Sequence, residues 1–252
     1  MSGHPFDEWL TARTSDVGRH TLSVLLEAND ARAEILDRLR QIVRSHYVAP
    51  EVAAKRLADL GAPQTAALLR EHLPTSKKAR SGDLGEILAT EIAECRLAYA
   101  VPVRRLRWKD GRDMALRGDD IVGLSHGAKN KLLFLKGESK SRAALASAVL
   151  DEAAEALDRD RGRPSRHSVL FVADRLREEG EDDLAKELEE AVLHSFRGCT
   201  VEHLLFVLTG SNPENLMSEH LKACSKRRRR RHGVGVCIKD HGEFIDELFG
   251  GL

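Results

Sequence analysis

The segment that most constrains the fold is a continuous apolar run, Leu132-Leu133-Phe134-Leu135. A short apolar run bounded by polar residues is typical of a strand that is buried on both faces. Such strands occur where helices cover both sides of a sheet, so this run predicts an α/β fold. Three polar residues, Glu138-Ser139-Lys140, follow shortly after it and place charge at the end of the most apolar strand.

The pattern after residue 81 predicts strands alternating with helices, which indicates a mixed sheet flanked by helices. The predicted strands are Tyr99–Leu106, Ala115–Leu124, Lys131–Gly137, Ser168–Ala173, Val201–Leu208 and Val234–Ile238. The predicted helices are Gly85–Ala98, Ala143–Leu157, Asp182–Phe196, Pro213–Cys224 and Phe244–Leu248. No helix separates the first three strands, so we expect them to form an antiparallel meander.

Residues 1–80 are predicted to form a helical N-terminal region. Apolar residues recur at helical spacing in two segments, from Thr21 to His46 and from Pro50 to Leu73. The segment from Pro74 to Arg80 has the composition of a linker. We therefore predict two regions, with 1–80 serving mainly in partner contact and 81–252 forming the core that carries the chemistry.

The charge balance excludes a chain that is basic throughout. Lys and Arg together number 40, and Asp and Glu also number 40, so any attraction to nucleic acid must come from a local cluster. No apolar run approaches the roughly 18 residues of a transmembrane helix, and the first ten residues do not resemble a signal peptide. The four cysteines have no paired spacing, which predicts reduced thiols in a cytoplasmic protein.

Four residues form the candidate active site: Glu86, Asp120, Glu138 and Lys140. Glu138 and Lys140 are two residues apart in a strand and so project from the same face. Asp120 joins them if its strand is a neighbour in the meander, and Glu86 lies on the preceding helix. Carboxylates are the ligands that Mg²⁺ prefers, and a metal ion with a nearby lysine suits phosphodiester hydrolysis. The predicted metal ligands are Asp120, Glu138 and Glu86, with Mn²⁺ as an alternative to Mg²⁺.

Two motifs carry a resemblance to known nucleases. Gly118-Asp119-Asp120-Ile121-Val122 followed by Gly137-Glu138-Ser139-Lys140 resembles the PD-(D/E)xK nuclease superfamily. That resemblance implies a mixed sheet flanked by helices, metal-dependent cleavage of DNA, and a first-helix acidic position at Glu86. The Pro-Asp pair of the superfamily's name is absent here. Asp119 and Asp120 therefore both remain candidate ligands, and Asp120 is favoured because it adjoins the apolar pair.

The order of the motifs is similar to that of the HamA family, the nuclease subunits of Hachiman antiphage systems. The motifs concerned are Gly85-Glu86, Arg117-Gly118-Asp119-Asp120 and Gly137-Glu138-Ser139-Lys140, within residues 81–142. This resemblance implies a DNA substrate and a helicase partner, HamB. The sequence has no G-x-x-x-x-G-K-[ST] motif, so any ATP-driven step belongs to a partner.

A basic run near the C-terminus is the candidate nucleic-acid contact. It consists of Lys226, Arg227, Arg228, Arg229, Arg230 and Arg231. Such a run binds phosphates, or it is a solvated loop, and the sequence does not decide between them.

Two further motifs support other chemistries. Gly123-Leu124-Ser125-His126-Gly127 matches the G-x-S-x-G motif of serine hydrolases, but that motif requires a helix next, and another strand is predicted instead. Cys224, His232, Cys237 and His241 lack the paired spacing of a zinc site. The sequence therefore favours a metal-dependent deoxyribonuclease. The alternatives are a non-catalytic subunit of a nucleic-acid complex and a serine hydrolase that uses Ser125.

Overall fold

A computed structural model describes residues 4–28, 31–127, 130–224 and 229–252. Its centre is a six-stranded mixed sheet with the strand order β1-β2-β6-β5-β4-β3. The strands are β1 (Leu10–Val17), β2 (His20–Glu27), β3 (Ile121–His126), β4 (Leu132–Arg142), β5 (Thr200–Thr209) and β6 (Arg231–Cys237). Strands β2, β6, β5 and β4 run parallel to one another, while β1 and β3 are antiparallel strands at the two edges.

Helices cover both faces of the sheet, as the sequence predicts for an α/β fold. They are α1 (Pro5–Trp9), α2 (Ala31–Tyr47), α3 (Pro50–Leu60), α4 (Ala62–His72), α5 (Lys77–Cys95), α6 (Ser147–Gly162), α7 (Arg166–Glu178), α8 (Asp182–Leu193), α9 (Glu214–Ala223) and α10 (His241–Gly250). The predicted fold class, a mixed sheet flanked by helices, is confirmed. Within the described residues, none of these helices has the length and apolar character needed to cross a membrane.

The apolar run in β4 lies in the core, as predicted. Phe134 and Leu135 have no exposed surface, and they face opposite sides of the sheet. Leu135 packs in the cluster that contains α5, whereas Phe134 packs against α7 and α8 and contacts the ring of Phe196 edge-on at 5.3 Å. Burial on both faces follows because helices from both sides meet this strand.

The N-terminal region contains a strand hairpin where the sequence predicts helix. The prediction of helix from Thr21 is wrong up to Glu27, because β1 and β2 form an antiparallel hairpin around Gly18, which has a positive φ of 65°. Leu22 and Val24 alternate with partly exposed residues, which is the period of a strand. The helical spacing of the later residues is confirmed by α2, α3 and α4.

This hairpin extends the sheet of the later residues. Strand β2 pairs in parallel with β6, and Phe6, Trp9 and Leu25 are buried in the same core cluster as Phe206 of β5. The first strands and the C-terminal strands therefore share one sheet and one core. The separate role in partner contact remains a prediction.

Three other predicted elements differ from the structure. The strand predicted at Ser168–Ala173 is wrong: these residues lie in α7, where Ser165 caps the helix by accepting a hydrogen bond from Ser168 N. The strand predicted at Tyr99–Leu106 is reduced to a single bridge between Ala100 and Leu124, so the expected meander is the hairpin of β3 and β4. Part of the predicted linker, from Lys77, is the first turn of α5.

Candidate active site

The candidate site lies where β4 extends beyond its edge partner. Strand β3 pairs with β4 up to the pair Ile121 and Gly137, and β4 then continues to Arg142 with only β5 beside it. A Cβ at Gly137 would lie 2.8 Å from Ile121 Cβ, so glycine allows the two strands their close approach. Glu138 and the residues after it therefore line an open edge of the sheet.

Asp120 is held at this edge by the backbone of β4. It directly precedes β3, and its Oδ2 accepts a hydrogen bond of 2.9 Å from Ser139 N. The neighbours of Ser139, Glu138 and Lys140, project from one face, and Lys140 Nζ lies 2.8 Å from Glu138 Oε1. The expectation that Asp120, Glu138 and Lys140 come together therefore agrees with the described geometry.

Glu86 reaches the site through the close packing of α5 on β4. Gly85, the residue before it, is buried, and a Cβ at that position would lie 2.7 Å from Ser139 Oγ. Glycine thus lets the helix backbone come against the strand. Glu86 also lines a cavity of about 310 Å³ together with Asp83 and Lys109.

The three carboxylates are held in an environment that disfavours their charge. Burial, together with the nearby Asp120 charge, raises the pKa of Glu86 well above its usual range. The same two causes raise the pKa of Glu138 to about 7. Burial also raises the pKa of Asp120, against the hydrogen bond from Ser139 N. Asp120 is therefore the shared electrostatic neighbour of the other two, and a cation at this point would relieve their repulsion.

Lys140 supplies one positive charge. Burial lowers its pKa, but the bonds to Glu138 and to Glu152 outweigh that effect, so the pKa is raised and the lysine stays protonated. Glu152 of α6 approaches Lys140 Nζ to 3.0 Å and is 57% exposed. The sequence reasoning missed Glu152, because its approach to Lys140 depends on how α6 packs over the sheet.

The structure separates the two candidate aspartates. Asp119 is buried, its Oδ2 accepts a 2.6 Å bond from Ser165 N, and its Oδ1 lies 3.3 Å from the buried Lys136 Nζ. Both of its carboxylate oxygens are therefore engaged in holding the start of α7 and the lysine. Asp120 instead lies beside Ser139, which supports Asp120 as the ligand.

Arg105 is a second residue that the sequence reasoning missed. It donates hydrogen bonds to the backbone carbonyls of Asp119 and of Arg117, the latter at 2.8 Å, and so fixes the segment that carries Asp120. Its charge also opposes the rise in the pKa of Glu86 and Asp120. Arg105 lies in a short 3₁₀ turn, Arg105–Trp108, and no sequence motif marks an arginine in such a turn as functional.

Asp83 and Lys109 form a buried ion pair next to Glu86. Lys109 Nζ lies 3.0 Å and 2.9 Å from the two carboxylate oxygens of Asp83, and Tyr47 OH donates to Asp83 Oδ2 at 2.7 Å. Burial raises the pKa of Asp83, and Lys109 opposes that rise. Asp83 is one helical turn before Glu86, so this pair fixes the side of α5 that faces the site.

The residues present suit a hard cation held by few protein ligands. In the part of the chain that the structure describes, no group of three or more His, Cys, Asp or Glu side chains is arranged to hold a metal ion. Mg²⁺ commonly uses one or two carboxylates and completes its shell with water and substrate phosphate. Asp120 and Glu138 provide such a pair, and burial is the main cause of the raised pKa of each carboxyl.

The basic run is divided by the structure. Lys226, Arg227 and Arg228 lie outside the described residues. Arg231 begins β6, has no exposed surface and forms a 2.7 Å ion pair with Asp158.

The last two arginines before β6 lie nearer the surface. Arg230 is 46% exposed, and Arg229 is half-buried. The described part of the run is therefore more embedded than a solvated loop.

The residues of the alternative chemistries are not assembled. Ser125 lies in β3, and Gly127 leads towards β4 with no helix after it, so the strand-turn-helix of a nucleophile elbow is missing. His232 contacts Thr21 and Glu202, whereas His241 contacts Ser141, so they do not share a site. Cys224 and Cys237 are free thiols.

These features define an α/β protein with two carboxylates, Asp120 and Glu138, and a lysine at an open sheet edge, and with Glu86 within electrostatic reach of Asp120. The sequence matches the HamA family over residues 4–252, and the chain belongs to that family. It is also similar to a curated relative, the Hachiman protein HamA of Bacillus cereus, with 32% identity over 113 residues. That alignment covers 45% of this chain and 39% of the relative, so the chain spans about two fifths of the relative's length.

Proposed function

We propose that the chain is a metal-dependent deoxyribonuclease and acts as the effector of an antiphage defence complex. The observation that carries this proposal is the cluster of Asp120, Glu138 and Lys140 at the edge of β4, where two buried carboxylates lie close to one lysine. Membership of the HamA family and the resemblance of the motifs to PD-(D/E)xK nucleases support the same conclusion.

Each residue has a distinct part in phosphodiester hydrolysis. Asp120 and Glu138 would hold Mg²⁺ or Mn²⁺, with Glu86 orienting water next to Asp120. An ion held by these carboxylates would supply Lewis acidity to a phosphoryl oxygen and to water. Lys140 is protonated and projects beside Glu138, so its ammonium can donate to a phosphate oxygen as negative charge develops there. Glu152 holds the lysine from the other side.

The double variant Glu138→Ala with Lys140→Ala tests this assignment. Both side chains are polar and only partly buried, so their removal leaves no large apolar cavity and the fold should persist. We expect plasmid cleavage with Mg²⁺ to be lost while circular dichroism is unchanged. Ser125→Ala should keep full activity. Unchanged nicking by the folded double variant would refute the nuclease, and loss of activity with Ser125→Ala would favour the hydrolase.

The basic run offers a place for the DNA backbone. Carboxylates at the site repel phosphates, and the chain has no net charge, so binding requires local cations. Replacing Arg227, Arg228 and Arg230 by serine should weaken binding for all sequences and reduce the salt slope by about 0.9 per lost contact to duplex DNA. Arg231 is left in place because it is buried against Asp158. An unchanged affinity and slope would mean that the run does not contact DNA.

The partner that we propose is a helicase subunit, HamB, and its docking surface is the helix pair α3 and α4. Helix α3 has no buried residue, and apolar side chains remain exposed on both helices. These are Val52 at 41%, Leu57 at 51%, Leu60 at 48% and Leu68 at 40% exposed. Several exposed apolar side chains on two neighbouring helices are typical of a protein interface. This surface is the most specific support for the predicted partner role of residues 1–80.

A further inference from the structure

A large cavity lined by several arginines lies at the N-terminal ends of β5 and β6, whereas the candidate active site lies further along β4. It has a volume of about 610 Å³ and lies where β5 and β6 begin and α6 ends. Four arginines line it: Arg19, Arg161, Arg229 and Arg230. They come from three separate segments of the chain, namely the β1–β2 turn, the end of α6 and the approach to β6.

The two carboxylates in this cavity are already engaged by other groups. Asp158 Oδ1 lies 2.7 Å from Nη2 of the buried Arg231. Glu202 Oε2 lies 2.7 Å from His232 Nε2 and accepts a 3.0 Å bond from Tyr99 OH. Glu202 Oε1 also lies 3.8 Å from Arg230 Nη1, but the four arginines that line the cavity still outnumber its two carboxylates, which leaves an excess of positive charge. An anionic ligand would be attracted to it.

One guanidinium in the cavity has a donor without a protein acceptor. Arg229 Nε is buried and has no hydrogen-bond partner among the described residues. Gly162, with φ +70°, allows the backbone at the end of α6 to pack against this side chain, because a Cβ there would lie 3.0 Å from Arg229 Nε.

The backbone that presents Arg161 is conformationally strained. Asp160 and Arg161 have positive φ values of 56° and 60°, and they end the regular part of α6 just before Gly162. Non-glycine residues in this region of φ are uncommon, and consecutive ones are found at functional sites. The carbonyl of the preceding Arg159 accepts a 3.1 Å bond from Lys136 Nζ, which fixes the kink against β4.

The cavity shares a sheet face with Glu138. Lys136, Glu138 and Lys140 alternate along β4 and project to the side covered by α6, and Lys136 pairs in register with His203 of the cavity. The first residue of β5, Thr200, pairs with a β4 residue five positions before Glu138. The lining residues of β5 extend to His203, which pairs with a β4 residue only two positions before Glu138, so at about 3.3 Å per residue the cavity begins about 7 Å from Glu138 and extends to about 16 Å along the strand.

A second basic cavity continues the first. It has a volume of about 360 Å³, shares Arg161 with the first cavity, and is also lined by Arg163, Arg166 and one acidic side chain, Asp160. Two adjoining cavities with one shared arginine suit an extended ligand that carries several phosphates. A mononucleotide would occupy one of them only.

We propose that the arginine cavity binds a backbone phosphate of the substrate strand close to the candidate active site. The ligand class, a nucleic-acid strand, rests on the proposed function. The site itself is carried by the four arginines, by their excess of positive charge and by the strained backbone at Asp160 and Arg161.

A charge-removal pair tests the cavity. Arg19→Asn with Arg161→Asn removes two charges, and asparagine tolerates turn and positive-φ positions. The matched control, Arg13→Thr with Lys55→Gln, removes two exposed charges elsewhere. All proteins also carry Glu138→Ala, so that fluorescent 20-nucleotide single strands and duplexes stay intact during anisotropy titrations over a range of salt.

The expected result is a loss of affinity of about tenfold in the cavity variant at low salt, relative to the control. The salt slope should fall by about 0.7 per lost phosphate for single strands and about 0.9 for duplexes. Equal affinities in the cavity variant and the control would overturn the proposal. Should the double variant fail to fold, Arg230→Ser provides the same readout at an exposed side chain.

Two parallel measurements separate the alternatives. Titration with AMP and with inorganic phosphate shows whether a small anion is the ligand. Tight binding of AMP that the cavity variant abolishes, with oligonucleotide affinity unchanged, would overturn the strand assignment. Cleavage by the protein with Glu138 intact is measured separately. An inactive protein whose oligonucleotide binding still depends on Arg19 and Arg161 would refute the nuclease and keep the phosphate site.

Discussion

Replacing Glu138 by glutamine should stabilise the protein at alkaline pH. Burial and the charge of Asp120 raise the pKa of Glu138 from 4.5 to about 7, and its side chain is 15% exposed. The folded state therefore binds this proton more tightly than the unfolded state. Stability falls as pH rises from about 4.5 to 7 and stays lower above that window.

The size of the effect follows from the pKa difference. A rise from 4.5 to about 7 already includes the opposing effect of Lys140 and corresponds to about 3 kcal/mol. Because solvent screens part of this effect at a side chain that is 15% exposed, we expect a stabilisation of about 1–3 kcal/mol at pH 8. Glu138→Gln removes the ionisation and keeps the shape. At pH 4.5 the carboxyl is protonated in the folded protein, so the difference should be small.

Urea unfolding in the presence of EDTA, followed by tryptophan fluorescence at pH 4.5 and pH 8, measures this difference. The matched control is Glu152→Gln, which also removes a carboxylate beside Lys140. Its pKa is lowered by the bond to Lys140, so this substitution should not stabilise the protein at pH 8. Adding Mg²⁺ should raise the stability of the wild type above that of Glu138→Gln. A Glu138→Gln protein that is no more stable than the control at pH 8 would refute the argument.

Two further predictions concern the choice of metal ligand and the exposed surface of α3. Asp120→Asn should abolish plasmid cleavage with little change in stability, whereas Asp119→Asn should lower the free energy of unfolding by about 3 kcal/mol, because it leaves the buried Lys136 unpaired. Urea unfolding and plasmid cleavage distinguish the two variants, and the reverse pattern would contradict the assignment of Asp120 as the ligand. Leu57→Gln with Leu60→Gln should weaken binding to the helicase subunit by about tenfold in a pull-down titration, whereas the control Leu193→Gln, at a side chain on α8 that is 77% exposed, should leave binding unchanged. Equal effects of the two proteins would show that α3 does not contact the helicase subunit.

The secondary structure of residues 1–80 could be predicted only in part. Helices α2 to α4 follow from apolar residues at helical spacing, but β2 was missed. Its apolar residues fit both periods over a short stretch, and the sheet partner that decides between them, β6, is about 200 residues away in the chain. Truncation at residue 80 would therefore expose β6 and part of the core.

The strand prediction at Ser168–Ala173 failed for a similar reason. Its apolar residues Val169 and Val172 are buried against α8, which places them on one face of a helix. The cap at Ser165 and the pairing with α8 decided the outcome. Propensity alone favoured a strand, because β-branched residues are enriched there.

The sequence by itself determined the features that depend only on residues close together in the chain. The run Leu132–Leu135 specified a buried strand, and the spacing of Glu138 and Lys140 put them on one face, because alternation in a strand needs no tertiary information. The tertiary structure decided which aspartate joins them, since Asp119 and Asp120 are adjacent and only packing against α7 and β4 turns them apart. It also decided the arginine cavity, which is built from segments that meet only in the folded sheet.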